Sequence, residues 1–380
     1  MVGQFLTDGP SGRSMPGDFS IALEPANGRW TARSDRERGV RRQSMSGFED
    51  VHLDIVDYIV RITQRIWERQ DVGYIYDTYA PAAFVYDDHG PHWGVERVVE
   101  GTLESIHAFP DLRNAADEVI WAGDDVQGFV TSHRYITTGH HLGAWRYGPA
   151  TGRKVDLWGI ANCVIRRNEI YEEWVLYNLC SKFAQLGVDI PAAARAYGNE
   201  LNAAGTADRH VSEVQRISGG QHPEPSPALD HSQGFDVDGF VRGVFHDVYN
   251  RRDLSAIDRA YATTVRWHGT SDRQGHGPGD VKGQARALLS TFLDLGLVVD
   301  EVYWMGNEAD GFRVSARWTA SGTHRGYALY GPPTGRRVHL WGISQLYVTN
   351  GRITEDWTMF NEFDVLAQIL ADAPRTSLLG

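Results

Sequence analysis

The chain has 380 residues, of which 42% are apolar and 23% charged, a globular composition with room for roughly two to four domains of about 100–200 residues each. Collagen-like, coiled-coil and wholly disordered chains are thereby excluded, and no stretch approaches the ~18–20 uninterrupted apolar residues of a membrane-spanning helix. With 37 basic against 49 acidic side chains the net charge is −12, which disfavours nucleic acid and anionic membranes as partners and leaves a small hydrophobic or aromatic compound as the expected one.

Residues 1–46 are rich in Gly, Ser, Pro and Arg, carry a basic run from Arg33 to Arg42 and lack sustained periodicity; they read as a flexible arm. No charged-then-apolar secretory pattern opens the chain, so a cytoplasmic protein is expected. From about residue 52 to 80 apolar side chains recur at three-and-four spacing (Ile55, Ile59, Ile62, Ile66, Tyr74, Tyr79), the mark of amphipathic helices packed on one face. A third helix is predicted from Gly94 to Phe109. After Asp111 the pattern turns to strands at 117–122, 126–138, 155–166 and 169–178, rich in Val, Ile, Thr, Trp and Tyr and broken by glycine-containing turns. Helices followed by a long antiparallel meander predict an α+β domain, with helices covering one face of a curved sheet.

The same text then returns. Residues 118–187 lie over 301–370 at a constant offset of 183, with about 28 of 70 positions identical. Gly148-Pro149-Ala150-Thr151-Gly152-Arg153 recurs as Gly331-Pro332-Pro333-Thr334-Gly335-Arg336, and Leu157-Trp158-Gly159-Ile160 as Leu340-Trp341-Gly342-Ile343. The repeat is domain-sized, which predicts domains at 47–188 and 235–374. Between them, 189–234 holds a helical stretch from Pro191 to Leu201 and then a Gly- and Pro-rich linker, Gly219 to Pro227. The only two cysteines, Cys163 and Cys180, are too few for a disulfide framework and lack zinc-ligand spacing, so both are expected reduced and buried.

Several of these motifs, in this order, resemble the SnoaL-like polyketide cyclase branch of the nuclear transport factor 2-like superfamily. They are Phe109-Pro110-Asp111-Leu112-Arg113, the Gly-Thr-His-x-Gly run at Gly322 to Gly326, Pro332 to Arg336, the Glu-x-Trp pairs Glu172-Trp174 and Glu355-Trp357, and the tail Ala184-Gln185-Leu186-Gly187. The resemblance covers both copies and implies two cone-shaped folds, each with an apolar pocket at its open end. It further implies chemistry without metal or cofactor on carbonyl-bearing, often aromatic, substrates. Many members are homodimers packed through the sheet, so the two copies are expected to form that dimer within one chain, with higher oligomers open.

Proton abstraction beside a carbonyl needs a base and donors for the resulting oxyanion. The resemblance places a carboxylate four residues after the Glu-x-Trp tryptophan, where this chain has Asn178 and Asn361, amides that can donate to the oxyanion but do not exchange a proton near neutrality; Glu362, one residue on, is the alternative carboxylate. Substitutes are sought by strand parity. If the face carrying Glu172 and Glu355 lines the pocket, those glutamates are candidate acid/base groups, with Trp158 and Asn162 in the first copy and Trp341, Gln345 and Tyr347 in the second as substrate contacts; a glutamate paired at a strand edge is the plainer alternative. His141 and His324, at equivalent positions before a turn glycine, are the second candidates for the base, against a purely structural turn histidine.

Tyr86 and His268 match on the first strand as further pocket candidates. The polar run Tyr86-Asp87-Asp88-His89-Gly90-Pro91-His92 reads as a mouth loop or as substrate contacts through Asp87 and His92, which are also candidates for an acid/base pair; its spacing matches no metal triad. Arg134 and Arg317 are expected in outer-face ion pairs. The expected function is a cofactor-free lyase, cyclase or isomerase acting on a small hydrophobic carbonyl or phenolic compound. Alternatives are a non-catalytic binder of hydrophobic metabolites, or a dehydratase or hydrolase using an activated water.

Overall fold

Asp54 starts the first helix by accepting the Asp57 amide at 2.8 Å, with Arg42 bonded to its other oxygen at 2.6 Å. The computed structural model describes residues 17, 19–23, 41–206, 210, 214, 215, 217 and 234–372. Most of the arm read as flexible, and the whole of Gly219 to Pro227, lie outside the described residues. Backbone contacts divide the chain into a first unit ending at Val188 and a second beginning at Asp189, with Tyr303–Gly306 counted with the first.

The first copy runs α1 (Ile55–Thr63), α2 (Ile75–Thr78), β1 (Tyr79–Asp87), β2 (Gly90–Trp93), α3 (Val95–Ala108), β3 (Arg113–Asp124), β4 (Gly128–His140), β5 (Lys154–Arg166), β6 (Glu169–Leu176) and α4 (Leu179–Leu186). Helix α5 (Ile190–Ala203) follows, capped by Asp189 and with Pro191 in its first turn. The second copy repeats the order as α6 (Val237–Phe245), α7 (Ser255–Ala260), β7 (Tyr261–Gly269), β8 (Gln274–His276), α8 (Gly277–Thr291), β9 (Gly296–Asn307), β10 (Gly311–Thr323), β11 (Arg337–Thr349), β12 (Arg352–Phe360) and α9 (Glu362–Leu370).

Each copy builds one six-stranded sheet, in the orders β2-β1-β6-β5-β4-β3 and β8-β7-β12-β11-β10-β9. The meander is antiparallel, and the strand that follows the first helices joins it parallel, β1 to β6 and β7 to β12. This is an α+β fold of the expected kind, two copies of a cone in which helices cover a strongly curved, mostly antiparallel sheet. Helix α1 buries Ile55, Tyr58, Ile59 and Ile62 against that sheet.

The repeated motifs are the fastenings of this cone. Gln185 accepts from the Asp156 amide at 2.7 Å and donates to its carbonyl at 3.0 Å, and Gln368 does the same to His339 at 2.9 Å each way. Asp111 caps the His140 amide, and Asp294 the Thr323 amide. In Leu157-Trp158-Gly159-Ile160 the glycine makes room for an aromatic ring on β4: a Cβ on Gly159 would lie 2.6 Å from the Tyr135 ring, and one on Gly342 would meet Trp318.

Strand burial does not alternate. Every residue of β4 from Gly128 to Tyr135 is buried, as is every residue of β10 from Val314 to Thr323. Both faces of these strands are covered, so hydrophobic pattern alone does not reveal which one looks into the cone.

Candidate active site

Inside the first copy lies a cavity of about 210 Å³. Its wall is the face bearing Val85 and Asp87 of β1, His133, Tyr135 and Thr137 of β4, Ala161 and Cys163 of β5, and Glu173 and Val175 of β6, roofed by α1 and α3. These are odd-numbered positions throughout, as alternate residues sharing one face must be.

Glu173 is the central acid. The Tyr79 hydroxyl donates to its Oε2 at 2.9 Å, and burial pushes its pKa up to about 7, the bond from Tyr79 opposing and the charge of Asp87 adding to the rise. It is surrounded by protein yet keeps some accessible surface, because the cavity itself is open to it. Tyr135 and Tyr177 line the same space, with hydroxyls held protonated mainly by burial. His133 is buried, its pKa lowered by that burial to about 4, and its Nε2 has no hydrogen-bond partner among the described residues.

At the mouth, burial would raise Asp87, but hydrogen bonds from His89 outweigh it and hold the carboxyl below its ordinary value. His89 meets the Tyr147 hydroxyl at 2.6 Å. Asp88 turns inward to accept the Tyr177 amide at 2.6 Å, and burial lifts it to about 6. Lys182, one turn into α4, completes the wall. Among the described residues no group of three or more His, Cys, Asp or Glu is arranged to hold a metal ion.

Of the candidates chosen from sequence, Asp87 and His92 line this cavity. Glu172 does not: its register partners are Phe84 and Val164, on the face opposite Glu173. Tyr86, Trp158 and Asn162 share that opposite face, Tyr86 and Asn162 both registered with Trp174 and Trp158 with Ile136. In the second copy Glu355 pairs with Arg266 and accepts from the Trp357 indole, His268 stacks on Trp357 at 3.6 Å, Arg313 lies over Tyr347, and Gln345 and Trp341 register with Ser315 and Thr319. The parity reading was therefore one residue out in both copies, for the reason given by the two-sided burial.

His141 and His324 are turn histidines. Each meets a loop threonine through Nδ1 at 3.2 Å, Thr151 and Thr334, and exchanges backbone bonds across the loop; His141 is outside the wall of the first cavity and His324 outside that of the pocket in the second copy. Asn178 sits in a left-handed conformation before α4, between Tyr177 and Leu179 of the cavity wall but not lining it, and Asn361 binds the Trp341 amide and Asp364 to fix the corner between β12 and α9. Arg134 and Arg317 lie in ion pairs with Asp117 and Asp300.

Sequence reasoning missed Glu173, Tyr135, His133 and Lys182. The available signal was Tyr79, whose twin Tyr261 recurs, opposite the acidic pair Glu173 and Asp356. In the second copy the Tyr261 hydroxyl donates to Asp356 at 2.9 Å, and burial lifts that carboxyl to about 6. Yet the second cavity is about 40 Å³, because Trp267 and Trp318 stand where the first copy has Val85 and Tyr135.

The helix-covered first cone thus encloses a carboxylate, tyrosines and a histidine around one cavity. The SnoaL-like polyketide cyclase family matches the chain twice, over 57–186 and 240–369, and the chain belongs to that family. Solved structures similar to one copy include a SnoaL-like protein of Jannaschia sp. CCS1 (20% identity, 34% of this chain, 91% of the other, TM-score 0.29) and AclR of Streptomyces galilaeus (27%, 34%, 90%, 0.29). A further one is a nuclear transport factor 2-like protein of Burkholderia pseudomallei (22%, 35%, 95%, 0.29). No curated protein matches the chain.

Proposed function

We propose that the first copy is a cofactor-free acid–base enzyme of lyase, cyclase or isomerase type, acting on a small hydrophobic carbonyl or phenolic compound, with Glu173 as the proton carrier. The observation that carries this reading is an enclosed carboxyl pushed up to about 7 and oriented by Tyr79. A carboxyl with that affinity is part ionised at neutral pH, so it accepts a proton from carbon and returns it elsewhere without a large mismatch. Tyr135 and Tyr177, kept protonated, supply donors for the oxyanion that develops as the proton leaves. The second copy retains the tyrosine–carboxylate pair but encloses too little space for such a substrate, and its role in this reading is structural.

The loss of the expected carboxylate at Asn178 and Asn361 favours a second reading, a binding protein without turnover. A third assigns Glu173 to activating or expelling water, as in a hydrolase or dehydratase. The first test is deuterium exchange at the α-carbon of phenylacetone in D₂O, followed by NMR. Acceleration that titrates near pH 7 and falls on the order of 10²–10⁴-fold in Glu173→Gln is the expected result. Binding of phenylacetone with no accelerated exchange would favour the binder, and exchange indifferent to Glu173→Gln would remove the residue from the mechanism.

A further inference from the structure

Of the 37 basic residues in the chain, three are lysines: Lys154, Lys182 and Lys282. Lys154 lies at the surface beside Asp156, and Lys282 pairs with Asp258. Lys182 is different in kind. It is 8% exposed and stands in the cavity wall on the same side as Tyr177 and Trp145. Its Nζ is 5.4 Å from the ring centre of Phe109, 5.5 Å from that of Trp145 and 5.8 Å from that of Tyr177. Among the described residues no acceptor forms a hydrogen bond or ion pair with the amine. Asp88 is the carboxylate whose field supports the charge, and it has already committed an oxygen to the Tyr177 amide.

A cation needed for charge alone would be served by arginine, the cation this chain uses nearly everywhere else. What arginine lacks is a neutral, nucleophilic form. Burial lowers the Lys182 pKa to about 8, against the pull of Asp88. Its place one turn into α4 works in the same direction, since the positive end of a helix dipole disfavours an ammonium. The equivalent position of the second copy is Val365, so the feature goes with the open cavity.

We propose that Lys182 is an imine-forming residue whose amine condenses with the carbonyl of an aldehyde or ketone held in the first cavity. The nitrogen lone pair forms the C–N bond as the carbonyl π bond opens. The two nitrogen protons pass to the oxygen, which leaves as water, and the C=N bond closes. Once protonated, that imine withdraws electrons from the neighbouring carbon and makes its proton or C–C bond easier to break. The inference rests on reading this cavity as the substrate site, and adds covalent anchoring to the acid–base work assigned to Glu173.

The test is reductive trapping. The full-length protein is treated with 4-hydroxybenzaldehyde and sodium cyanoborohydride at about pH 7.5, the conditions in which an amine of this kind is part neutral, and peptides are mapped by mass spectrometry while binding is followed by calorimetry. The expected result is an adduct at Lys182 exceeding those at Lys154 and Lys282 by an order of magnitude. It should be lost in Lys182→Arg and in Lys182→Met, lose its preference over Lys154 and Lys282 on unfolding in urea, and be kept in His141→Gln, whose side chain is outside the cavity wall. Binding of the aldehyde with no preferential Lys182 adduct overturns the imine and leaves the acid–base reading intact. Absence of both binding and adduct overturns both. A Lys182 adduct together with proton exchange that ignores Glu173→Gln supports the imine and sinks the acid–base role of Glu173.

Discussion

The Tyr79 hydroxyl and the Glu173 carboxylate meet at 2.9 Å at the back of the first cone, joining the first strand to the last. The same pair, Tyr261 with Asp356, survives in the second copy although the space in front of it has closed. One relationship thus has two settings: an acid facing a cavity, and an acid enclosed in packed aromatic rings.

The first setting has a pH signature in stability. Glu173 holds its proton up to about 7 in the folded chain, against an ordinary value of 4.5. Between those values the folded state binds more protons than the unfolded one, so this group's contribution falls as pH rises and is flat above. Asp88 and Asp356, both lifted to about 6 by burial, act in the same sense over a lower window. Glu173→Gln should therefore gain stability relative to wild type as pH rises from about 5 to about 8, read by urea unfolding at each pH. A constant difference across that range would contradict the buried-acid assignment.

The second setting suggests how to close the first. Tyr135→Trp places on β4 the side chain that fills the second copy at Trp318, above a glycine present in both copies, Gly159 and Gly342. The expected outcome is a cooperatively folded protein that no longer binds phenylacetone by calorimetry. Unchanged affinity would place the binding site elsewhere.

Those glycines themselves should be intolerant. Gly159→Ala drives a methyl into the Tyr135 ring, and Gly342→Ala drives one into Trp318 and the Met359 carbonyl. Overpacking of this kind costs about 1–3 kcal/mol. The second substitution should cost more, since backbone as well as side chain obstructs it, and thermal or urea unfolding of the two variants measures the order.

His141→Gln separates fold from chemistry. The imidazole packs on Phe109 with ring centres 5.2 Å apart and holds Thr151, outside the cavity wall. Its replacement should lower stability by about 1–2 kcal/mol through lost packing and one hydrogen bond. The phenylacetone exchange rate of the folded protein should be unaffected. A large fall in that rate would restore the histidine as a candidate base.

The sequence by itself determined the repeat, the α+β class and the family. The motifs that carry them are local fastenings: Gln185 on the Asp156 backbone, Asp111 on the His140 amide, Gly159 beneath Tyr135. Such contacts depend on residue type at fixed spacing and leave a readable trace. What tertiary structure decided was which face of each strand looks inward. Glu172 and Glu173 are adjacent carboxylates with the same local propensity, and only the closing of β1 onto β6, which brings Tyr79 to Glu173 and Phe84 to Glu172, distinguishes the cavity acid from its neighbour. Because β4 and β10 are buried on both faces, no alternation of polar and apolar residues marked the choice. The difference between an open and a filled cone depended likewise on Trp267 and Trp318, residues far apart in the chain that the second sheet brings to line one pocket.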